Sequence, residues 1–363
     1  MRFQTIKYME WAKINQHINP VTWDLSNSAM APPEPEDIGV TAEDAHWDGE
    51  NHYGHPELKA LLAKRYGVKP EQIIPAGGSS LANFLISAAI LQTGDTAAIE
   101  KPYYEPLGRI LEALEAKVIE VPRRREDKFQ PDVEAAKKAF EKGAKLLIMT
   151  DLYNPGGVTI DRTRLKAIGE SAAKHGATVL VDEVYLDSLW EKRPGIAATL
   201  GPQFVSTNSL TKVYGMGNLR EGWGIGRKEL IDRAYRVYDY LSVLNSMPTD
   251  RVGIRALKAI DRLTARSRKR RDENYPVLAK WVESRKDVDW IPPDGGFIGW
   301  VHLKSKATSV TLEPLLRKKY DAQVAPGHYF GCPDHIRIGI GLAQDKLVEG
   351  LKRVGMALDD LKG

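Results

Sequence analysis

Ser209-Leu210-Thr211-Lys212-Val213-Tyr214-Gly215-Met216-Gly217-Asn218-Leu219-Arg220 is the stretch whose reading decides the fold. A lysine stands in a glycine-rich turn, with a hydroxyl three residues before it and a guanidinium eight residues after it. The apolar run Phe204-Val205-Ser206-Thr207 leads into this turn, so Lys212 falls just beyond the end of a predicted strand. The spacing suits a lysine that forms an imine with an aldehyde while Ser209 and Arg220 hold an anionic group. A dinucleotide fingerprint starting at Gly215-Met216-Gly217 is excluded, because Arg220 stands where its third glycine belongs and the segment lies too late in the chain.

Outward from this turn the same rhythm continues. Thr96-Ala97-Ala98-Ile99, Val118-Ile119-Glu120-Val121, Leu146-Leu147-Ile148-Met149 and Thr178-Val179-Leu180-Val181 are short apolar runs separated by amphipathic stretches. The first helix, Pro56 to Tyr66, has proline in its opening turn. Unbroken apolarity marks strands buried on both faces, and helices between them imply right-handed crossovers. The expected class is α/β: a large domain, residues 45–245, with a mostly parallel sheet between helices, plus a smaller α+β domain formed by 1–44 and 246–363. Pro20, Pro32, Pro33 and Pro35 predict an irregular N-terminal arm. One long helix is expected from about 251 to 284, strands at 296–301 and 335–340, and a helix over 344–361. No internal repeat is present.

Five further segments carry chemistry. Gly77-Gly78-Ser79-Ser80 follows a short apolar run and opens a helix, where free N–H groups and serine hydroxyls can cradle an anion. Pro102-Tyr103-Tyr104-Glu105-Pro106 follows a strand, at the edge where parallel sheets gather ligands. An aromatic there can stack on a flat heterocycle. Asn154-Pro155-Gly156-Gly157 reads as a turn. Asp182-Glu183-Val184-Tyr185 puts a carboxylate at a buried strand end, which is costly without a cationic partner. Arg337, in a predicted strand, can grip a carboxylate through two parallel hydrogen bonds.

In chain order, these segments resemble the pyridoxal-phosphate enzymes of fold type I, the aspartate aminotransferase superfamily, and within it the class I/II aminotransferases. The resemblance runs from Tyr53 to Arg337. It implies that Lys212 holds pyridoxal 5'-phosphate as a Schiff base and then acts as general base. Asp182 would face the pyridine nitrogen, Tyr185 and Asn154 the phenolic oxygen, and Tyr104 the ring. Gly78, Ser79, Ser80, Ser209 and Arg220 would surround the phosphate, and Tyr53 would reach the phosphate of a neighbouring subunit in a homodimer. Arg337, with Asn154, would bind the substrate carboxylate. The implied activity moves an amino group between an L-α-amino acid and a 2-keto acid. The alternative is another reaction on the same scaffold: β-elimination, decarboxylation or oxidation of an amino acid. A regulatory sensor on this fold would carry a DNA-binding module ahead of it, and no helix-turn-helix pattern precedes Tyr53. The segment from Tyr53 to Pro56 is shorter than in many members, and Leu25-Ser26-Asn27-Ser28-Ala29 lacks the usual glycine-rich text, so substrate identity stays open.

Composition sets the frame for these motifs. With 363 residues, 42% of them hydrophobic, the chain can bury a full core. Its 52 basic and 48 acidic side chains leave a net charge of +4, which calls for neither nucleic acid nor an anionic membrane. The run Arg266, Arg268, Lys269, Arg270, Arg271 reads as a solvated helix face. Cys332 is the only cysteine, so no internal disulfide can form. The first residues lack the apolar run of a signal peptide, and a cytoplasmic location is expected. His52 and His55 have no companion ligands, so no metal is expected.

Overall fold

The computed structural model describes residues 2–362. The apolar runs lie side by side in a seven-stranded sheet, in the order Ile73–Gly77, Glu221–Ile225, Phe204–Ser209, Thr178–Asp182, Ala144–Thr150, Thr96–Lys101, Lys117–Pro122. Neighbours are parallel except at Glu221–Ile225, which is antiparallel to both of its own. Strand alternation sorts the side chains between two faces. Leu146, Ile148 and Leu180 pack under helices Ser79–Ile90, Glu105–Ala113 and Lys228–Asp239. Leu147, Met149, Val179 and Val181 pack under Val133–Glu141 and Arg162–Lys174. Covering both faces is what the unbroken apolar runs require.

The sequence reading does not anticipate strand Glu221–Ile225, and packing explains why. Its apolar character is diluted by Gly222 and Gly224, which close contacts demand. A Cβ on Gly222 would come within 2.5 Å of the Gly78 carbonyl carbon, and one on Gly224 within 2.9 Å of Ile86 Cδ1.

A second, antiparallel sheet has the order Ala325–Pro326, His335–Gly339, Ile298–Leu303, Val288–Trp290. Helices Ile260–Glu283, Ser309–Tyr320 and Gln344–Asp360 share one apolar core with it, through Leu278, Val282, Leu312, Leu316, Leu347 and Leu351. The same core reaches Leu58, Trp223 and Ile254 beneath the large sheet.

Three expectations are corrected. The N-terminal arm is not wholly irregular: Lys7–Lys13 is an α-helix that passes into a π-helical turn, Ile14–Ile18. The prolines begin only at position 20, and the helix start is secured from far away, with Lys7 and Tyr8 N–H donating to the Glu105 carboxylate at 3.2 and 2.7 Å. The long helix is two, Met247–Lys258 and Ile260–Glu283, because Ala259 leaves helical geometry (φ −94°, ψ 13°). The basic run is not a solvated face throughout. Arg266 donates to the carbonyls of Ala31 and Pro32, Arg270 to that of Leu342 and Arg271 to that of Gly296, leaving Arg268 and Lys269 exposed. The helix lies across loops whose carbonyls need donors, and long arginine stems reach them. Among the described residues no helix is long and apolar enough to cross a membrane.

Candidate active site

The parallel strands end along one edge of the large sheet, and the loops there enclose a cavity of about 260 Å³. Its walls include Ser79, Ser80, Asn83, Tyr104, Asn154, Asp182, Tyr185, Lys212 and Arg220. Residues scattered over 142 positions of sequence meet because each follows a strand in the same sense.

One end of the cavity is an anion cradle. Strand Ile73–Gly77 turns at Gly78 (φ +85°) into helix Ser79–Ile90, whose N-terminus no side chain caps. Its first N–H groups and its partial positive charge are therefore offered to the cavity. Arg220 closes the cradle, donating from Nη2 to Gly77 O at 3.0 Å and from Nη1 to Gly217 O at 3.1 Å. A Cβ on Gly78 would lie 2.2 Å from Arg220 Nη2, so only glycine admits this approach.

The middle of the cavity is governed by Asp182. Burial pushes its carboxyl up to about 6, against hydrogen bonds from Asn83 Nδ2 (2.7 Å) and Val184 N–H (3.3 Å). Thr207 Oγ1 donates to Asn83 Oδ1 at 2.6 Å and fixes that amide. Tyr185 is buried, and burial raises its phenol to about 12 although Arg337 favours the ionised form. Its Oη makes no well-formed hydrogen bond within the chain; the Ser28 hydroxyl lies nearby and only eases ionisation.

Lys212 enters from the loop after Phe204–Ser209. Its Nζ donates to Ser28 Oγ at 3.1 Å. Burial lowers the ammonium to about 8, Arg337 and Arg220 push the same way, and Asp182 opposes them. A lysine so tuned supplies a substantial neutral fraction near physiological pH, as a nucleophile or base requires.

Arg337 lies behind this wall, 1% exposed. It donates from Nη1 to Asn154 Oδ1 at 2.9 Å and from Nη2 to Tyr8 Oη at 2.6 Å and Ser26 O at 3.5 Å, while Nε has no partner. All three acceptors are neutral. A buried guanidinium held only by neutral groups is poised for an anion.

The structure thus gathers Ser79, Ser80, Tyr104, Asn154, Asp182, Tyr185, Lys212 and Arg220 on one cavity, with Gly78 shaping its cradle and Arg337 reached through Asn154. Ser209 is buried at its strand end, where its Oγ accepts from Thr211 N–H at 3.3 Å, and it does not line the cavity. Tyr53 lies elsewhere on the surface, 66% exposed, edge-on to Tyr235 at 5.3 Å. Among the residues of the site that the sequence reading does not single out are Tyr8, Met9, Ser28 and Asn83. Asn83 had a usable signal, since it stands four residues after Ser79 on the same helix face. Tyr8, Met9 and Ser28 come from the arm and had none.

The description of the aminotransferase class I and II family matches residues 49–354. The chain belongs to this family. The aminotransferase is 25% identical over 330 residues to the aspartate aminotransferase of Streptomyces avermitilis, covering 85% of this chain and 81% of that protein. With the arginine–pyruvate transaminase of Pseudomonas aeruginosa it shares 24% identity, covering 99% and 95%. A PLP-dependent aminotransferase from Streptococcus suis superposes on it with a TM-score of 0.92 at 25% identity over the whole of both chains. It is a pyridoxal-phosphate-dependent transferase.

Its residues fit pyridoxal phosphate. An uncapped helix start beside Arg220 suits a phosphate. The unpartnered Tyr185 Oη suits a ring oxygen, and a buried carboxylate at Asp182 suits a protonated ring nitrogen.

Proposed function

We propose that this aminotransferase exchanges an amino group between an L-α-amino acid and a 2-keto acid, with Lys212 as both covalent anchor of the cofactor and general base. The observation that carries the proposal is the placement of Lys212, whose amine opens into the cavity that Asp182 and Tyr185 line and donates to Ser28 Oγ at 3.1 Å, with desolvation and Arg337 lowering it to about 8. When bound, pyridoxal phosphate supplies an electron-accepting ring that stabilises negative charge on an amino acid's α-carbon. Ser79, Ser80 and Arg220 would hold its phosphate end, in the cradle that Gly78 shapes, with the buried Ser209 supporting the strand end behind it. Tyr104, which lines the cavity, would pack against the cofactor ring. Asp182 would face a ring cation as its counter-charge, and Asn83 keeps the carboxylate aimed. Arg337 grips the substrate carboxylate, with Asn154 and Tyr8 setting the plane of its fork. Lys212 Nζ moves the α-proton, and Ser28 Oγ steadies that nitrogen. Met9, Leu107 and Leu152 give the cavity apolar walls that exclude water. Residues 45–245 hold the cofactor in this reading, while 1–44 and 246–363 form a smaller unit that brings Arg337. Incubating the holoprotein with single amino acids and identifying the matching 2-keto acid by mass tests it. Release of carbon dioxide or of a β-substituent would assign another reaction.

Asp182 gives a prediction with two signs. In the cofactor-free protein its carboxyl takes up a proton near 6, and the unfolded chain does so near 3.8. The folded state is therefore favoured by this group below about 4 and loses that advantage as pH rises through 6. At pH 7 the cost of burying the charge outweighs its hydrogen bonds from Asn83 and Val184 and the attraction of Lys212, so Asp182→Asn raises apo stability by roughly 1–3 kcal/mol. The same change slows the loaded enzyme by ~10²-fold or more, because the ring cation loses its counter-charge. Denaturant melts of the apo protein at pH 7, set beside turnover of the holoprotein, read both signs. An apo variant less stable than wild type would contradict the first.

The active form is proposed to be a cytoplasmic homodimer, the location resting on a sole cysteine that makes no internal disulfide. Tyr240, Leu241, Val243 and Leu244 are exposed, and Trp47 and Tyr53 as well. Asn51 Nδ2 donates to Asn245 O at 2.9 Å and ties these segments into one region, next to Met247 and Pro248. Such apolar exposure marks a contact surface, and an isologous partner would bring its own Tyr53 to this edge. Light scattering with activity measured on the same sample is expected to show a dimer. A fully active monomer at micromolar concentration would refute it.

A further inference from the structure

We propose a second site, independent of the Lys212 cavity: a divalent transition-metal site at the end of the small sheet, formed by Cys332, Asp334, His335 and His302 and suited to Zn²⁺. One thiol, one carboxylate and two imidazoles make a mixed sulfur, oxygen and nitrogen set of the kind that zinc takes in tetrahedral geometry.

The chain brings these groups together in two ways. Cys332-Pro333-Asp334-His335 is a tight turn, closed by His335 N–H to Cys332 O at 3.1 Å. Candidate ligand atoms of Cys332, Asp334 and His335 all lie within 4.8 Å of one another. The fourth group comes from the neighbouring strand, where the register sets His302 opposite His335, with ring centroids 4.8 Å apart. The Asp334 carboxylate touches both imidazoles: Oδ1 lies 2.8 Å from His335 Nδ1 and Oδ2 lies 3.7 Å from His302 Nε2. Around bound zinc, with Zn–N of ~2.0 Å and Zn–S of ~2.3 Å, ligand atoms stand roughly 3.3–3.8 Å apart. Cys332, Asp334 and His335 have to contract by on the order of an ångström, and the part-exposed His302, 3.7 Å from Asp334, has to swing in as the fourth ligand.

The surroundings are those of a metal site. His302 Nδ1 lies 3.1 Å from Asp289 Oδ1, and Arg125 Nη2 holds that carboxylate at 2.7 Å. A carboxylate on one imidazole nitrogen fixes the tautomer and leaves the other lone pair free, here Nε2, which faces Asp334. His335 is packed flat on Trp300 at 4.8 Å, its side chain 8% exposed, and its Nε2 has no partner. The chain thus buries an imidazole that engages Asp334 through Nδ1 and leaves Nε2 unused among the described residues. Asp334 and the edge of His302 are open to solvent, so an ion has a path in. The nearest cations are already neutralised, Arg125 by Asp289 and Lys101 by Glu120 at 3.0 Å.

The site also has a connection to the strand it closes. His335 and Arg337 alternate onto one face of strand His335–Gly339, and Trp300, which stacks on His335, is the register partner of Arg337. An ion held here fixes the end of the strand that presents Arg337. The sequence reading looked for metal at His52 and His55 and missed this set, because one ligand comes from a different strand.

Cobalt reads out the geometry. Tetrahedral Co²⁺ bound to a thiolate absorbs in the red, clear of the cofactor. Chelator-treated holoprotein titrated with Co²⁺ is expected to develop such a band at one ion per chain and to lose it on adding Zn²⁺. Cys332→Ser, which removes the thiolate, weakens this red band and moves it to shorter wavelength. His302→Ala weakens Zn²⁺ binding at least tenfold, and Asp289→Asn, which touches no ion, weakens it ~10–100-fold. Cofactor content and thermal melts of the three variants should match wild type. No band at equimolar Co²⁺, or wild-type Zn²⁺ affinity in both Cys332→Ser and His302→Ala, overturns the proposal whatever reaction Lys212 performs.

Discussion

Replacing Lys212 by alanine lowers amino-group transfer by roughly 10⁴-fold or more. General-base catalysis contributes ~10²–10⁴-fold, and this lysine is also proposed to supply the covalent hold on the cofactor, so both losses would fall on one substitution. Its amine is suited to the first task because burial, Arg337 and Arg220 bring it down to about 8. Among the described residues no second amine lines the cavity to take over. The cradle at Ser79, Ser80 and Arg220 is untouched, so cofactor affinity should fall far less than the rate. Turnover under saturating cofactor, with bound cofactor quantified after release, separates the two. A variant within tenfold of wild type would remove Lys212 from the chemistry.

The second large effect belongs to Arg337. Its fork is set by Asn154 and Tyr8, and its charge meets no carboxylate among its hydrogen-bond partners. Hydrogen bonds to charged groups contribute ~1.5–3 kcal/mol each, and two of them make Arg337→Ala cost roughly 10²–10⁴-fold in kcat/KM for amino acids. Arg337→Lys keeps the charge but not the planar fork and recovers only part of this. The positive charge of Arg337 also lowers the Lys212 ammonium. Its removal therefore raises that pKa and moves the acid limb of the rate profile to higher pH, an effect that a mere packing role would not produce. The clamp decides the reaction as well. As proposed, Arg337 would hold the substrate carboxylate in place and leave the Cα–H bond within reach of Lys212, which would favour proton removal over loss of carbon dioxide. Amines without a carboxylate provide the control. Equal handling of amino acids and amines by wild type would show that Arg337 is a bystander.

Much of this site was legible because a parallel sheet makes local text sufficient. Each of Gly78, Tyr104, Asn154, Asp182 and Lys212 follows a strand in the same sense, so reading the residues after each apolar run brings them to one edge. What was illegible depends on long-range pairing. The helix Lys7–Lys13 is anchored by Glu105, nearly a hundred positions away, and carries Tyr8 to Arg337 across 329. No periodicity in a short arm announces such contacts. Ser28 meets Lys212 over 184 positions in the same way. Strand Glu221–Ile225 was hidden by the two glycines that its packing requires. The arginines of helix Ile260–Glu283 have the spacing of a solvated face, but only the folded loops beneath them reveal the carbonyls they bind.

The central claim is that Lys212, and no other lysine, carries the cofactor. Borohydride reduction of the holoprotein, followed by digestion and mass analysis, tests it most directly. The account predicts reduced cofactor fixed to the peptide that contains Lys212, and no trapping in Lys212→Ala. Cofactor on another lysine, or undiminished trapping in the variant, would contradict it.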